Sequence, residues 1–412
     1  MKRYLIIPLV IIFFSLFDLS AAFLDDTTKY IENSKPLNVA TDLYGIQWEM
    51  SYGRSPFYGA RYEGPQPIGD CDNDGDNELL IGGRDAMLRV MEWNDDLQTY
   101  EQTHTLRGPF YPLVRQDSDG FAIGDVTGDG DNEIVVSWYA TVHKFVNGRY
   151  RIIAWNPWVE WNGGGNPDCY IGDCDNDGLN EVIMSCRDWR RSVPEIVIFK
   201  WNGKQLVKYA DWDDVGVNGE VFMAGLGDVD EDGENEIVCA SENKVIVLNW
   251  DAQNKTFIST IIYSTLGQDS PFGVVCKDCD NDGKAEILLS YVDYTGTNDP
   301  RITIFKWNGT GYPIQFDITW PGGEPVIEGI DVGDTDGDGL NEVVAGAGLT
   351  HILQWNGTTY VEEAVLPTFG WMAVVCIGDC DNDGKNEINA GNVIIELGQQ
   401  YTEWVFKYGL ET

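Results

Sequence analysis

The stretch Gly69-Asp-Cys-Asp-Asn-Asp-Gly-Asp-Asn-Glu78 is an acidic phrase that returns seven times along the 412-residue chain. Successive first aspartates are 55, 48, 55, 50, 56 and 45 residues apart; they are Asp70, Asp125, Asp173, Asp228, Asp278, Asp334 and Asp379. A repeat of this length is typical of propellers, solenoids and arrays. Units of about 50 residues cannot bury a core alone, so they must pack on one another.

The pattern inside the phrase predicts a calcium loop. Counting the first aspartate as position 1, carboxylates recur at positions 1, 3, 5 and 9, and position 6 is always glycine. Calcium takes 6–8 oxygen ligands, which alternate residues of a tight loop can supply, and the glycine permits the turn that brings the position-7 carbonyl inward. An EF-hand is excluded because its bidentate glutamate stands at position 12 before a helix. Here a glutamate at position 9 leads into β-branched residues such as Ile134-Val-Val136. The alternative is a set of acidic turns that only solvate the surface.

The predicted ligand positions are 1, 3, 5, 7 and 9 of each loop, with calcium as the cofactor at up to seven sites. They are Asp70, Asp72, Asp74, Asp76 and Glu78; Asp125, Thr127, Asp129, Asp131 and Glu133; Asp173, Asp175, Asp177, Leu179 and Glu181; Asp228, Asp230, Asp232, Glu234 and Glu236; Asp278, Asp280, Asp282, Lys284 and Glu286; Asp334, Asp336, Asp338, Leu340 and Glu342; and Asp379, Asp381, Asp383, Lys385 and Glu387. The second loop is predicted to be the weakest because Thr127 replaces an aspartate. The fifth departs from the pattern at Lys277, which precedes the loop, and at Ala285, its position 8.

A second signature, an aromatic residue followed by a turn, predicts a hairpin in each repeat. Trp201-Asn-Gly203 and Trp355-Asn-Gly357 are examples, and Asn-Gly between alternating strands is a strong hairpin signal. In the fourth repeat we therefore expect strands at 222–226, 236–240, 244–250 and 257–263. Four antiparallel strands per repeat, repeated radially, predict an all-β fold: a seven-bladed β-propeller of four-stranded blades, with a calcium-binding loop between the first two strands of each blade.

The predicted organisation has three parts: a secretory signal peptide at 1–22, a linker or closing strand at 23–43, and the propeller at 44–412. Lys2 and Arg3 precede an apolar run over 4–17, and Ser20-Ala-Ala22 is a small-residue cleavage site. This predicts a secreted or cell-surface protein, with an uncleaved signal anchor as the alternative. Residues 401–406 are expected to form the outer strand of the last blade. A closing strand within 41–50 is the other option, and the sequence leaves the mode of closure open.

The net charge of -40, from 67 acidic and 27 basic residues, argues against nucleic acid or an anionic membrane as a partner. Nine cysteines allow disulfides in an oxidising compartment, and buried free thiols are the equally open alternative.

The phrases ending at Glu78 and Glu133 resemble the FG-GAP and VCBS repeat family, whose seven-bladed propeller heads integrin α-subunits. The resemblance covers about residues 44–412. It implies calcium ligation at positions 1, 3, 5 and 9 of each loop, and extracellular adhesion or ligand binding. Integrin-type loops usually carry aspartate at position 9, where this chain has glutamate. The family also contains lectins and propellers attached to enzymes, so the fold alone does not decide the function.

The loops on the face opposite the acidic loops are predicted to bind a ligand. They combine aromatic rings, which suit sugar faces or protein hot spots, with arginines, which suit anionic groups. The alternative is that these rings fill space between blades. The predicted ligand-face residues are Arg54, Tyr58, Arg61, Trp155, Trp158, Trp161, Trp189, Arg190, Arg191, Trp212, Trp320 and Trp371.

The chemistry-bearing residues favour binding over catalysis. The three histidines, His104, His143 and His351, lie in different repeats, and no nucleophile elbow, P-loop or zinc motif occurs. We therefore predict a non-catalytic binding or adhesion module for an extracellular glycan or protein. The alternative is a carbohydrate-active enzyme of the polysaccharide lyase or glycosidase kind, and a structural array protein is a third possibility.

Overall fold

The structure, a computed structural model, describes the chain over 44–49, 67–82, 87–113, 120–137, 139–156, 163–188, 191–219, 221–265, 269–293, 299–320, 327, 329–347, 349–366, 375–390 and 393–398. Every described residue belongs to the compact unit Ala40–Thr412. The predicted signal peptide and the segment 23–43 lie outside the described residues. In the part that the structure describes, no helix is long and apolar enough to cross a membrane.

The described residues form seven four-stranded antiparallel sheets, as the repeat predicts. In chain order the strands are β1 Tyr44–Glu49, β2 Ile68–Gly69, β3 Glu78–Ile81, β4 Leu88–Asn94, β5 Thr99–Leu106, β6 Phe121–Gly124, β7 Glu133–Val136, β8 Thr141–Phe145, β9 Tyr150–Ala154, β10 Gly163–Gly172, β11 Glu181–Asp188, β12 Val193–Trp201, β13 Leu206–Asp213, β14 Ala224–Gly227, β15 Glu236–Ser241, β16 Lys244–Asp251, β17 Thr256–Ser264, β18 Asp269–Lys277, β19 Glu286–Asp293, β20 Arg301–Phe305, β21 Ile314–Thr319, β22 Ile330–Gly333, β23 Glu342–Gly346, β24 Thr350–Trp355, β25 Tyr360–Leu366, β26 Val375–Gly378, β27 Glu387–Ala390 and β28 Val393–Leu397.

Blades one to six each consist of four consecutive strands, beginning with β2, β6, β10, β14, β18 and β22. We call the strands of a blade A to D in this order. In the fourth blade the observed strands lie within a few residues of the predicted ones. Strand A ends where the acidic loop begins, strand B begins where that loop ends, and strands C and D flank the turn after Trp250. The propeller of four-stranded blades is therefore confirmed.

The seventh blade is closed by the N-terminal strand. Its order is β1-β28-β27-β26, and β1 pairs antiparallel with β28 from Tyr44 opposite Leu397 to Glu49 opposite Val393. Of the two modes of closure left open by the sequence, the strand within 41–50 occupies the outer position. Residues 401–406 lie outside the described residues.

The described residues contain seven buried hydrophobic clusters, and each one joins two consecutive blades. Leu80, Val90 and Phe121 illustrate the pattern, since the first two belong to blade one and the third to blade two. The other junctions repeat it, including the one between blades seven and one, where Ile394 packs with Leu79. Inter-blade packing thus supplies the apolar burial that a single repeat lacks.

The glycine before six of the seven loops lets neighbouring inner strands approach closely. A Cβ atom on Gly172 would lie 2.3 Å from a methyl carbon of Leu226 in the next blade, so a side chain here would require Leu226 to move. The fifth blade carries Lys277 at this position. Its ammonium reaches the next blade, where it lies 2.6 Å from Asp331 Oδ1 and donates to the Val332 carbonyl at 3.1 Å. The departure noted in the sequence is therefore an inter-blade ion pair.

Candidate functional site: seven acidic loops on one face

The seven acidic loops lie on the same face of the propeller. Each one connects strand A to strand B, and alternate connections of an antiparallel blade lie at opposite ends. The C–D turns share the face of the acidic loops, while the B–C and D–A connections lie on the other face. All thirty-five predicted metal positions fall within the described loops, at the positions of the repeat that the sequence assigns.

Each loop is held in shape by its own carboxylates. In loop one the Gly75 amide donates to Asp70 Oδ2 at 3.1 Å, and the Asp76 amide donates to Asp74 Oδ1 at 3.0 Å. All seven loops repeat both bonds. Gly75 has a φ of 104°, and the six equivalent glycines also have positive φ, so the turn needs glycine as the pattern predicts.

The position-9 glutamate is the buried floor of every loop. One of its oxygens accepts the amide of position 2; the Cys380 amide donates to Glu387 Oε2 at 2.7 Å, and the Cys71 amide to Glu78 Oε2 at 2.8 Å. The same bond occurs in the other five loops. The position-9 glutamates are at most 2% exposed. A fixed Oε2 leaves Oε1 as the oxygen available to a ligand.

The carboxylates converge most completely in loops one and seven. Ligand oxygens of all four residues at positions 1, 3, 5 and 9 lie within 4.8 Å of one another in both loops; these sets are Asp70, Asp72, Asp74 and Glu78, and Asp379, Asp381, Asp383 and Glu387. Three acidic residues converge in this way in loops three, four and five. Calcium uses carboxylate and carbonyl oxygens at 2.3–2.6 Å, so these donor sets fit the ion in kind and number.

Loop seven also contains a buried oxygen that lacks a partner. Glu387 is 0% exposed, and its Oε1 accepts no hydrogen bond from the residues that the structure describes; the same is true of Asp379 Oδ1. Burial raises the pKa of Glu387 to about 8 and that of Glu236 in loop four to about 8. Burial likewise raises the pKa of Glu78 and that of Glu342 to about 7. A cation would remove this cost of holding buried carboxylates together.

A side chain of strand C, or in blade five the residue directly after it, approaches the floor glutamate in five blades. In blades two, three and five it is a lysine: the Lys144, Lys200 and Lys306 ammonium groups lie 2.7, 2.9 and 2.9 Å from Oε1 of Glu133, Glu181 and Glu286. In blades four and six it is an amide, from Asn249 at 3.3 Å and Gln354 at 3.4 Å. The corresponding residues of blades one and seven, just before Trp93 and Leu397, are acidic: Glu92 and Glu396.

The residues at position 7, and Thr127 at position 3 of loop two, make different contacts from the predicted carboxylate ligands. Leu179 and Leu340 are exposed, so at these positions only the backbone carbonyl can serve as a ligand. Lys284 at the same position pairs with Glu231 of the preceding blade, and Lys385 lies 3.1 Å from Asp383. The Thr127 hydroxyl donates to Glu133 Oε1 at 3.1 Å.

Asparagines tie each loop to the next one around the ring. Position-8 asparagines donate to the position-1 carbonyl of the preceding loop: Asn132 to Asp70, Asn180 to Asp125, Asn235 to Asp173, Asn341 to Asp278, Asn386 to Asp334 and Asn77 to Asp379, at 2.8–3.0 Å. The remaining junction has Ala285, and the ion pair of Lys284 with Glu231 crosses it instead. The recurrent asparagine was visible in the sequence, but its partner in another blade was not.

Several predicted ligand-face residues are engaged in the fold. Arg191 binds Asp213 with two guanidinium nitrogens, at 2.6 and 2.8 Å, and also contacts Asp188. Trp212 packs against the cluster between blades three and four. Trp320 donates to Glu362 of the next blade at 3.2 Å and lies 4.4 Å from the His351 ring. The other predicted residues except Trp155 lie outside the described residues; they are Arg54, Tyr58, Arg61, Trp158, Trp161, Trp189, Arg190 and Trp371.

Trp155 belongs to an exposed aromatic cluster on the ligand face. Its ring centroid lies 5.1 Å from that of Phe110 and 6.3 Å from that of Tyr139, and all three pairs are edge-to-face. Phe110 and Trp155 follow D strands and Tyr139 lies in a B–C turn, so the cluster joins blades one and two. Trp155 is 43% exposed, Phe110 38% and the nearby Leu113 92%. Tyr139 has a φ of 55°, an uncommon conformation for an aromatic residue.

The three histidines are packed against other side chains of the fold. His143 is buried, His351 lies 2.7 Å from Glu362, and the His104 ring packs on Phe145 and Tyr150. The nine cysteines are all buried free thiols, which decides between the alternatives that the sequence left open.

Comparisons with known proteins agree with this architecture. Residues 228–289, from loop four to strand B of blade five, match the model of the FG-GAP-like repeat. The chain is 24% identical over 303 residues to cartilage acidic protein 1 of Mus musculus, and this alignment covers 62% of the chain but only 43% of that protein. The chain therefore matches less than half the length of this relative.

Two solved structures resemble the fold. Saccharomyces cerevisiae Sqt1 gives a TM-score of 0.50 at 9% identity and covers 86% of this chain and 100% of that one. The Dos1 propeller gives 0.46 at 10% identity, with 79% and 77% covered. At such identities the likeness to Sqt1 concerns the fold alone. The resemblance predicted from the acidic phrases is confirmed: the chain is a seven-bladed β-propeller that contains an FG-GAP-like repeat.

Proposed function

We propose that this protein is a calcium-stabilised, non-catalytic binding module that recognises a glycan or protein ligand outside the cell. A propeller with FG-GAP-like repeats is compatible with such a role. The observation that carries the binding part of the proposal is the exposed cluster of Phe110, Tyr139 and Trp155, because three rings held edge to face by two blades form a rigid apolar platform.

The chemistry around this platform favours an acidic ligand. Arg107 is exposed and precedes Phe110 by three residues, and its guanidinium carbon lies 4.8 Å from the Tyr111 ring centroid. An arginine on a protein of charge -40 is a local exception to a strongly negative surface. A guanidinium next to flat rings suits a carboxylate or sulfate on a sugar or a peptide. The ligand class in this proposal is thus an acidic glycan or an acidic protein surface.

The acidic loops support two parts of the proposal: that the protein binds calcium, and that it acts outside the cell. Loops one, three, four, five and seven each bring together three or four carboxylates of the kind that calcium uses, and weak loops of this type fill at the millimolar calcium found outside cells. The predicted signal peptide points to the same compartment. In this proposal the ion stabilises the propeller and does not contact the ligand, because the aromatic cluster lies on the opposite face.

Binding of a panel of sulfated and uronic-acid polysaccharides to the whole protein, by surface plasmon resonance with and without calcium, tests the proposal. Trp155→Ala should weaken binding to the recognised polysaccharide about fivefold, since stacking on an exposed ring contributes about 1 kcal/mol. The Arg107→Ala effect should shrink as salt rises. Ile258→Ala, an exposed residue of the outer strand of blade four, serves as the matched control.

The same panel tests the enzymatic alternative. Release of unsaturated products, followed by their ultraviolet absorbance, would show a lyase instead of a binding module. A panel in which no polysaccharide binds, together with no binding to extracellular proteins, would contradict the proposed function.

A further inference from the structure

The strand-C residue beside each floor glutamate divides the seven loops into two kinds. Lys200 shows the first kind: its ammonium lies 2.9 Å from Asp175 Oδ2, 2.5 Å from Asp177 Oδ2 and 2.9 Å from Glu181 Oε1. These carboxylates stand at positions 3, 5 and 9, three of the positions expected to bind the metal. An ammonium has three donors and accepts nothing, so it fills the centre of the loop as a tethered cation.

Blades two and five repeat this arrangement. Lys144 lies 2.8 Å from Asp129 and 2.7 Å from Glu133. Lys306 contacts Asp280, and it lies 2.8 Å from Asp282 and 2.9 Å from Glu286. The same feature thus occurs in three blades whose loops otherwise differ, since loop two has Thr127 and loop five has Ala285.

Among the described residues, no strand-C lysine enters the other four loops; Lys385, at position 7 of loop seven, lies 3.1 Å from Asp383 and 3.6 Å from Glu396. In loop seven Glu387 Oε1 is buried and no ammonium contacts it among the described residues, whereas the same oxygen of Glu181 and Glu286 lies 2.9 Å from one. Asp230 Oδ1 of loop four has no hydrogen-bond partner in the described ranges, but neither have Asp175 Oδ1 and Asp280 Oδ1 of the lysine loops, so the ammonium contacts are what separate the two kinds. The amides of Asn249 and Gln354 can rotate to present a carbonyl oxygen, which is a calcium ligand. The corresponding Glu92 and Glu396 of blades one and seven are themselves acidic.

We propose that lysines Lys144, Lys200 and Lys306 replace calcium in blades two, three and five, so that the protein binds four calcium ions, in loops one, four, six and seven. This inference rests on the calcium part of the proposed function and differs from the sequence expectation of one ion per blade. Calcium and an ammonium cannot occupy the same carboxylate centre, and entry of the ion into a lysine loop would require the side chain to leave three carboxylates.

The residue at this one strand-C position therefore determines whether the loop binds calcium. A lysine makes a metal-independent loop, and an amide or a carboxylate makes a metal-dependent one. The two kinds alternate irregularly around the ring, so calcium removal would loosen blades six, seven and one as a contiguous arc, together with the separate blade four.

The test is the calcium stoichiometry of the full chain after chelation and dialysis, measured by native mass spectrometry and by isothermal titration with calcium chloride. The wild type should bind four ions. Lys200→Gln reproduces the blade-six residue in blade three and should bind five, while Gln354→Lys reproduces a lysine loop in blade six and should bind three. Lys204→Gln, an exposed lysine of the same blade, is the matched control and should bind four.

A second measurement, the melting temperature, distinguishes an effect on metal binding from a purely structural effect of the substitution. Lys200→Gln should melt lower than the wild type in chelator and recover in millimolar calcium, because the ion replaces the lost ammonium. Lys306→Gln should behave in the same way, and it serves if Lys200→Gln does not fold. Seven ions in the wild type, or an unchanged count in both Lys200→Gln and Gln354→Lys, would overturn the lysine assignment while leaving calcium binding intact. No bound calcium in any variant would overturn the calcium part of the proposed function, and this inference with it.

Discussion

The Asn281 side chain and the Asn341 backbone are joined by two hydrogen bonds across the junction of blades five and six. Asn281 Nδ2 donates to the Asn341 carbonyl at 3.1 Å, and the Asn341 amide donates to Asn281 Oδ1 at 2.6 Å. The same pairing occurs between Asn73 and Asn132, Asn176 and Asn235, and Asn382 and Asn77. Loops two and six carry glycine at this position, Gly128 and Gly337.

The first prediction concerns two substitutions, one that converts an asparagine junction into a glycine junction and one that does the reverse. Asn281→Gly removes both bonds without backbone strain, since Asn281 has a φ of 65°, and it should lower the free energy of unfolding by about 1–3 kcal/mol. Gly337→Asn, at a φ of 78° with open space around the position, should raise it by up to about 1 kcal/mol. Urea denaturation in calcium measures both. Equal effects of the same sign would show that the asparagines do not join the blades.

The second prediction concerns removal of calcium. Excess chelator should lower the melting temperature, since emptied loops leave converging carboxylates in repulsion and lose about 3 kcal/mol per site that calcium occupies at a hundredfold its dissociation constant. Asp379→Asn should lower the melting temperature in calcium, whereas Asp125→Asn, in the loop of Lys144 and Thr127, should change it far less. Differential scanning calorimetry provides the measurement. A melting curve that chelator leaves unchanged would contradict the prediction.

The third prediction concerns acid. Burial lowers the pKa of His143 from 6.5 to about 4, and its Nε2 has no hydrogen-bond partner within the described ranges. The unfolded chain takes up this proton near pH 6.5 and the folded chain only near pH 4, so the stability from a neutral His143 is complete above pH 6.5 and declines below it. The expected loss across this window is about 3 kcal/mol. His143→Leu should remove that part of the pH dependence in urea titrations between pH 7.5 and 4.5; parallel curves for the two proteins would refute it.

The fourth prediction separates packing from ligand contact among the tryptophans. Trp320→Ala loses the bond to Glu362 and the contact with the His351 ring, so it should lower the free energy of unfolding by about 1–3 kcal/mol. Trp155→Ala should cost less than about 1 kcal/mol because much of the ring is exposed. Thermal melts of the two variants check this, and a larger loss for Trp155→Ala would assign that ring to the core.

The acidic phrase predicted the blades, the loop positions and the positive-φ glycines because these depend on contacts within one repeat. The roles of Lys144 and Asn235 were beyond the sequence, since each depends on where another strand or blade places its oxygens. A signal for the lysines was present all the same: the residue before the strand-C aromatic changes between Lys200, Asn249 and Gln354 while its neighbours recur. For Arg191 the sequence predicted a ligand-face arginine but gave no indication that its guanidinium binds Asp213.

The pairing of β1 with β28 has a consequence for biosynthesis. Gln47 bonds to Glu396, which lies 349 residues later, so the ring cannot be completed until the last blade has left the ribosome. Until then the apolar surfaces that Leu79 and Ile394 bury against each other face solvent or a chaperone. The closing step joins the most distant parts of the sequence, which makes it the slowest kind of contact to form. A nascent chain that stalls before β28 therefore holds six complete blades and two open edges.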